Sequence, residues 1–167
     1  GEGFERSAYT FLTNLVMGVG FAFILAAAVV FSGRAITPQN GVLWGLAGFV
    51  VFTLAPTTGL APDLPGLPAA DLLARQTWWV GTVLATAGGL ALIAFQKRLA
   101  LKALGVVLLV MPNIIGAPHP QDISSTVPAV LEGGFAANTL AMMALYWIVL
   151  GVSMGWWLNR TGSAAEA

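Results

Sequence analysis

Residues 54–79 read LAPTTGLAPDLPGLPAADLLARQTWW and lie between two long apolar runs that they cannot extend. Prolines at 56, 62, 65 and 68 remove backbone donors and forbid a continuous helix. Asp63, Asp71 and Arg75 would each cost about 2.5–3.5 kcal/mol at the centre of a bilayer. This stretch therefore belongs at a membrane surface, and the runs beside it are spans. A second stretch, residues 111–134, MPNIIGAPHPQDISSTVPAVLEGG, has the same character and holds the only histidine, His119.

The composition agrees. Hydrophobic residues make up 57% of the chain and charged residues 8%, against roughly a quarter charged in soluble domains, and the mean hydropathy is +0.84. The chain reads as an integral membrane protein. Its net charge of zero gives no sign of a nucleic-acid partner. With no cysteine there is no disulfide, thiolate metal site or cysteine nucleophile.

Runs free of charge cover 7–31, 41–54, 77–95, 103–115 and 133–158, and all acids and bases fall between them or at the ends. The first, third and fifth supply the roughly 20 apolar residues that a spanning helix needs; the second and fourth are short. The expected architecture is an all-α, polytopic transmembrane helix bundle forming a single domain. Its five spans lie near 7–31, 41–58, 77–95, 99–115 and 133–158, and its external loops at 55–76 and 116–134. Cytoplasmic loops collect Lys and Arg. Alternation along five spans puts Arg34, Lys97, Arg98, Lys102 and Arg160 on one side, leaving only Arg6 and Arg75 opposite. Glu2, Glu5, Asp63, Asp71, Asp122 and Glu132 share that opposite side, so the two proline-rich loops are expected outside and the C-terminus inside. The first residue then also lies outside. With no cleavable leader pattern ahead of it, a sixth, upstream span is expected.

Aromatic residues fit this placement, with Tyr9, Trp78 and Trp79 at the outer level and Trp44, Trp156 and Trp157 at the inner. Gly41-x-x-x-Gly45, Ala85-x-x-x-Gly89 and Gly151-x-x-x-Gly155 have the small-residue spacing that lets helix backbones meet in lipid. Pro56 with Ala61-Pro62 recurs 56 residues later as Pro112 with Ala117-Pro118, a faint parallel repeat. In transporters, proline-interrupted spans at matching positions of two repeats point to a binding site. Prolines gathering at helix ends would give the same pattern.

The blocks GFERSAYTFLTNLVMGVGFAFILAAA, LAPTTGLAPDLPGLPAADLLARQTWWVGTVLATAGGLALI, MPNIIGAPHP and VPAVLEGGFAANTLAMMALYWIVLG resemble the CbtA family of predicted cobalt transporter subunits over essentially the whole chain. Ala74-Arg75-Gln76 leading into Trp78-Trp79, and Gly116-Ala117-Pro118-His119-Pro120, carry most of the likeness. The resemblance implies a multi-pass protein of the bacterial inner membrane that brings in cobalt(II) for cobalamin synthesis. It also implies a small single-span partner, CbtB, with a histidine-rich tail. Look-alikes carry a further span and an often histidine-rich external stretch before the GFER block.

Cobalt(II) accepts imidazole nitrogen and carboxylate oxygen. The external loops offer His119, Asp122, Asp63 and Asn113 as candidate metal ligands, although one histidine and scattered acids make no defined metal motif. Asp71 also reads as a first-turn acid of a short amphipathic helix, paired with Arg75 at i,i+4. Asn14, Met17, Asn138 and Met142 are candidate pathway-lining residues; interhelical hydrogen bonds and packing explain them equally well. No ionisable residue falls inside a span, so no proton relay is expected there. No phosphate-binding loop is present, and no covalently bound cofactor is expected. Two rivals stay open. One is a scaffold subunit whose loops bind a partner protein. The other is a membrane enzyme using His119 and Asp122 as an acid–base pair, against the expectation of no enzymatic activity.

Overall fold

The computed structural model describes residues 2–64, 67–120 and 128–165. Among these, helix is the only regular secondary structure, as the apolar runs require. Helix α1 is Glu2–Ser32, α2 Pro38–Phe49, α3 Ala55–Thr57, α4 Leu72–Phe95, α5 Leu99–Ile115 and α6 Ala129–Ala165. A π-helical turn, Val50–Leu54, joins α2 to α3, so 38–57 forms one unbroken rod. Four segments are long and apolar enough to cross a membrane: Gly3–Ser32, Pro38–Thr57, Leu72–Phe95 and Ala129–Thr161. Helix α5, with 17 residues, stands at the lower limit of spanning length.

The helix ends are written in local chemistry. Gly33, at φ +64°, turns the chain out of α1, and its N–H reaches Val30 O at 3.1 Å. Thr37 and Asn40 then cap α2 reciprocally: the Asn40 N–H donates to Thr37 Oγ1 and the Thr37 N–H to Asn40 Oδ1, with Pro38 at the first helical position. Pro56 accounts for the π-turn. A proline ring collides with the carbonyl four residues back, and opening the register relieves that collision, so Ala55 N–H bonds Val50 O instead. Asp71 does not sit in the first turn of a short surface helix. It is the N-cap of the span α4, its carboxylate accepting from Ala74 N–H at 2.9 Å. The expected Asp71–Arg75 ion pair does not form, because the cap holds that carboxylate on the backbone.

The chain divides into two compact units. One contains α1, α2 as far as Leu46, and α6 from Trp147. Leu25, Val29 and Ile36 are buried there, and Trp147 is fully enclosed with its ring 5.0 Å from that of Phe21. The two Gly-x-x-x-Gly pairs meet each other in this unit. A Cβ on Gly41 would strike the Gly151 carbonyl, one on Gly45 the Trp147 carbonyl, and one on Gly155 the Thr37 carbonyl. Backbone contact of this kind admits only glycine.

The other unit, Ala47–Tyr146, is built around the α4–α5 hairpin, whose tight turn Gln96-Lys97-Arg98 carries two bases. Gly89 faces Gly105 across the hairpin, and a Cβ on either would lie 2.7 Å from the other's carbonyl oxygen. Ala85-x-x-x-Gly89 thus marks a true contact face. The π-turn and α3 pack on α4. Helix α5 ends at Gly116, φ +84°, whose N–H bonds Pro112 O at 3.0 Å.

Candidate functional site

At the loop end of the second unit the two proline-rich stretches converge. Gly59 has no room for a side chain: a Cβ there would be 2.5 Å from the Trp78 ring and 2.6 Å from the Ala117 methyl. Trp78 is therefore held between the end of α3 and the segment following α5, so the first stretch, the second stretch and the top of α4 share one packing centre. Thr58 lies beside Asn113, with 2.7 Å between its Oγ1 and the Asn113 side-chain oxygen, and Oγ1 is also 2.7 Å from Ala55 O. Thr58 and Asn113 follow Pro56 and Pro112, the two repeated prolines, both of which are buried.

Above this centre is a cavity of about 190 Å³ lined by Gly59–Ala61, Asp63, Pro68–Ala70, Arg75 and Pro118–Pro120. Asp63 of the first loop, His119 of the second and Arg75 of α4 all line it. His119 and Asp63 are exposed, and Arg75 is partly buried. Prolines on both sides of His119 restrict its backbone. Arg75 arrives by helix geometry. Side chains lean toward the helix N-terminus, so a residue four positions after the Asp71 cap reaches back over the loop. Among the described residues no group of three or more His, Cys, Asp or Glu side chains gathers around one point. Two donors beside a guanidinium can dwell on a divalent cation briefly and cannot strip or trap it.

The other candidates from sequence are dispersed. Asn113 is engaged with Thr58 and does not line this cavity. Asp122 lies outside the described residues. Asn14 and Met17 are exposed on the first half of α1, and Asn138 and Met142 are exposed on α6. Sequence reasoning missed Thr58, Gly59 and Trp78 as the centre that joins the loops. It had a signal for them in the matched prolines, whose neighbours here meet.

Helices of this length and apolarity, joined by charged turns, define a multi-pass helical membrane protein. The chain belongs to the CbtA family, described as probable cobalt transporter subunit, whose family model matches residues 1–159. No curated protein and no solved structure gave a match.

Proposed function

We propose that this chain is the membrane-spanning subunit of a cobalt(II) uptake system in the bacterial inner membrane, supplying cobalamin synthesis, and that the Asp63–His119 cavity is where the ion first binds. One observation carries the reading: residues 56 positions apart in sequence, one acidic and one imidazole, line a single polar cavity at the proline-rich end. The excess of Lys and Arg on the opposite side of the spans supports an external position for that end. The description of the family as a subunit implies a partner, and a small single-span protein with a histidine-rich tail would supply the ligands that two loop donors lack.

The cavity suits transit. Conduction needs binding strong enough to draw an ion in and weak enough to release it, and Arg75 keeps the site on the weak side. The membrane potential gives each elementary charge about 2.3 kcal/mol per 100 mV, hence roughly twice that for a divalent cation moving inward. Accumulation needs no nucleotide.

The test is cobalt uptake by cells stripped of other routes, expressing the intact protein with its partner. His119→Ala and Asp63→Asn should each cut uptake several-fold at low cobalt, with protein levels in the membrane unchanged. Uptake that survives both substitutions would remove the cavity from the path. A wild type that moves no cobalt would leave the scaffold reading in its place.

A further inference from the structure

Threonine in a helix ordinarily turns its hydroxyl back to the carbonyl of the preceding turn. Thr10, Thr57, Thr82 and Thr161 all do so here, to Arg6, Thr53, Trp78 and Trp157. Thr53 and Thr86 do not. Their Oγ1 atoms are enclosed without a hydrogen-bond partner, as is Trp78 Nε1, although Thr86 is only 1% exposed and Thr53 9%. A buried hydroxyl left unsatisfied costs about 1–3 kcal/mol. Such groups in one small unit mark a place for water or an ion.

The elements that hold them pack against each other. Trp78, Thr82, Thr86 and Gly89 recur at helical spacing on the inward face of α4. Opposite is the π-turn that contains Thr53, running antiparallel: the Phe52 and Trp79 rings are 6.3 Å apart, and Gly59 abuts Trp78. Either contact taken as the alignment puts Thr86 deeper than Thr53 as measured from the loop end. The π-turn adds an oxygen. In the register set by Ala55 N–H bonding Val50 O, residue 56 would serve Val51, and Pro56 has no N–H, so the Val51 carbonyl has no helical donor. Between α4 and α5 a groove of about 720 Å³ is lined on α4 from Asp71 to Ala85, Trp78 and Thr82 among its residues.

We propose that water and partly hydrated cobalt(II) pass from the Asp63–His119 cavity beside Trp78 into this unit, and that the Thr53 hydroxyl with the Val51 carbonyl, and deeper in the span the Thr86 hydroxyl, act as successive neutral-oxygen contacts along the way; the identity of the ion rests on the transport reading above. Neutral oxygens replace part of the hydration shell without the grip of a carboxylate, which inside lipid would hold a divalent ion in place.

These 167 residues hold no cysteine, so each introduced thiol is compared with the same preparation lacking it. In membrane vesicles holding the full-length protein and its partner, Thr53→Cys and Thr86→Cys are exposed to a membrane-impermeant cationic methanethiosulfonate. Leu84→Cys, on the 67% exposed face of α4, serves as the lipid-facing control. A thiol reacts as thiolate, which forms in water and not in hydrocarbon. Both threonine positions should react about tenfold faster than the control, and saturating cobalt(II) should slow them several-fold. Uptake should fall several-fold in Thr86→Val and persist in Thr86→Ser, which keeps the hydroxyl. Reactivity no greater than that of Leu84→Cys overturns the aqueous route; labelling untouched by cobalt overturns the ion contacts. If the wild type accumulates no cobalt, the transport reading falls, and labelling still decides whether the route is aqueous.

Discussion

Asp71 and Arg75 illustrate how one residue's local bond redirects another. The carboxylate is occupied by Ala74 N–H, which leaves the guanidinium to line the cavity with Asp63 and His119. Asp71→Ala removes an N-cap and should lower stability by about 1 kcal/mol, read as a lower unfolding midpoint of the protein in detergent. Arg75→Gln should leave that midpoint in place and lower the cobalt concentration for half-maximal uptake several-fold, because a cation no longer repels the ion at the cavity. The acids and the histidine were legible in sequence as candidates. Arg75 was read as an ion-pair partner instead, because i,i+4 spacing makes a pair possible and does not reveal that the carboxylate is already engaged.

At the scale of elements, glycine decides which helices touch. Gly151 lies against the backbone of Gly41 and Gly45, whereas Gly20 on α1 has nothing within 4 Å of where a Cβ would stand. Gly151→Val should therefore lose the folded protein from detergent extracts, measured by size exclusion and protein level. Gly20→Ala should be tolerated and raise stability by about 0.5–1 kcal/mol through helix propensity. The small-residue spacing was visible in the sequence; which helix met which was not, since spacing describes one surface and contact needs two. Pro56 and Pro112 show the same limit. Both lie in a helix near its loop end, yet Pro56 follows a π-turn and Pro112 sits within regular α5.

For the whole molecule, sidedness is the controlling property. The proline-rich end carries the acids and His119, while the α4–α5 turn carries Lys97 and Arg98. Single cysteines at Asp63 and Lys97 in intact cells should label oppositely with an impermeant maleimide, Asp63→Cys from outside and Lys97→Cys only after permeabilisation. Labelling of both from the same side would refute the alternating topology and move the Asp63–His119 cavity to the wrong face for uptake. Helices α1 and α6 keep long apolar faces uncovered by the chain itself, including Phe11, Leu15, Phe23, Val130 and Leu145. These faces suit lipid and the partner that a subunit implies.

Taken alone, the sequence determined that the chain is helical, with several runs long and apolar enough to cross a membrane, and that charged, proline-rich segments separate those runs. Each of these follows from the cost of placing a charge or an unsatisfied backbone group in lipid, and that cost is local. Only the tertiary structure decided that Asp63 and His119 share a cavity, that Asn113 is taken by Thr58, and that the hydroxyls of Thr53 and Thr86 are buried without a hydrogen-bond partner. Those outcomes depend on which backbones come close enough to touch. The glycines permit that closeness, and the packing of whole helices sets it.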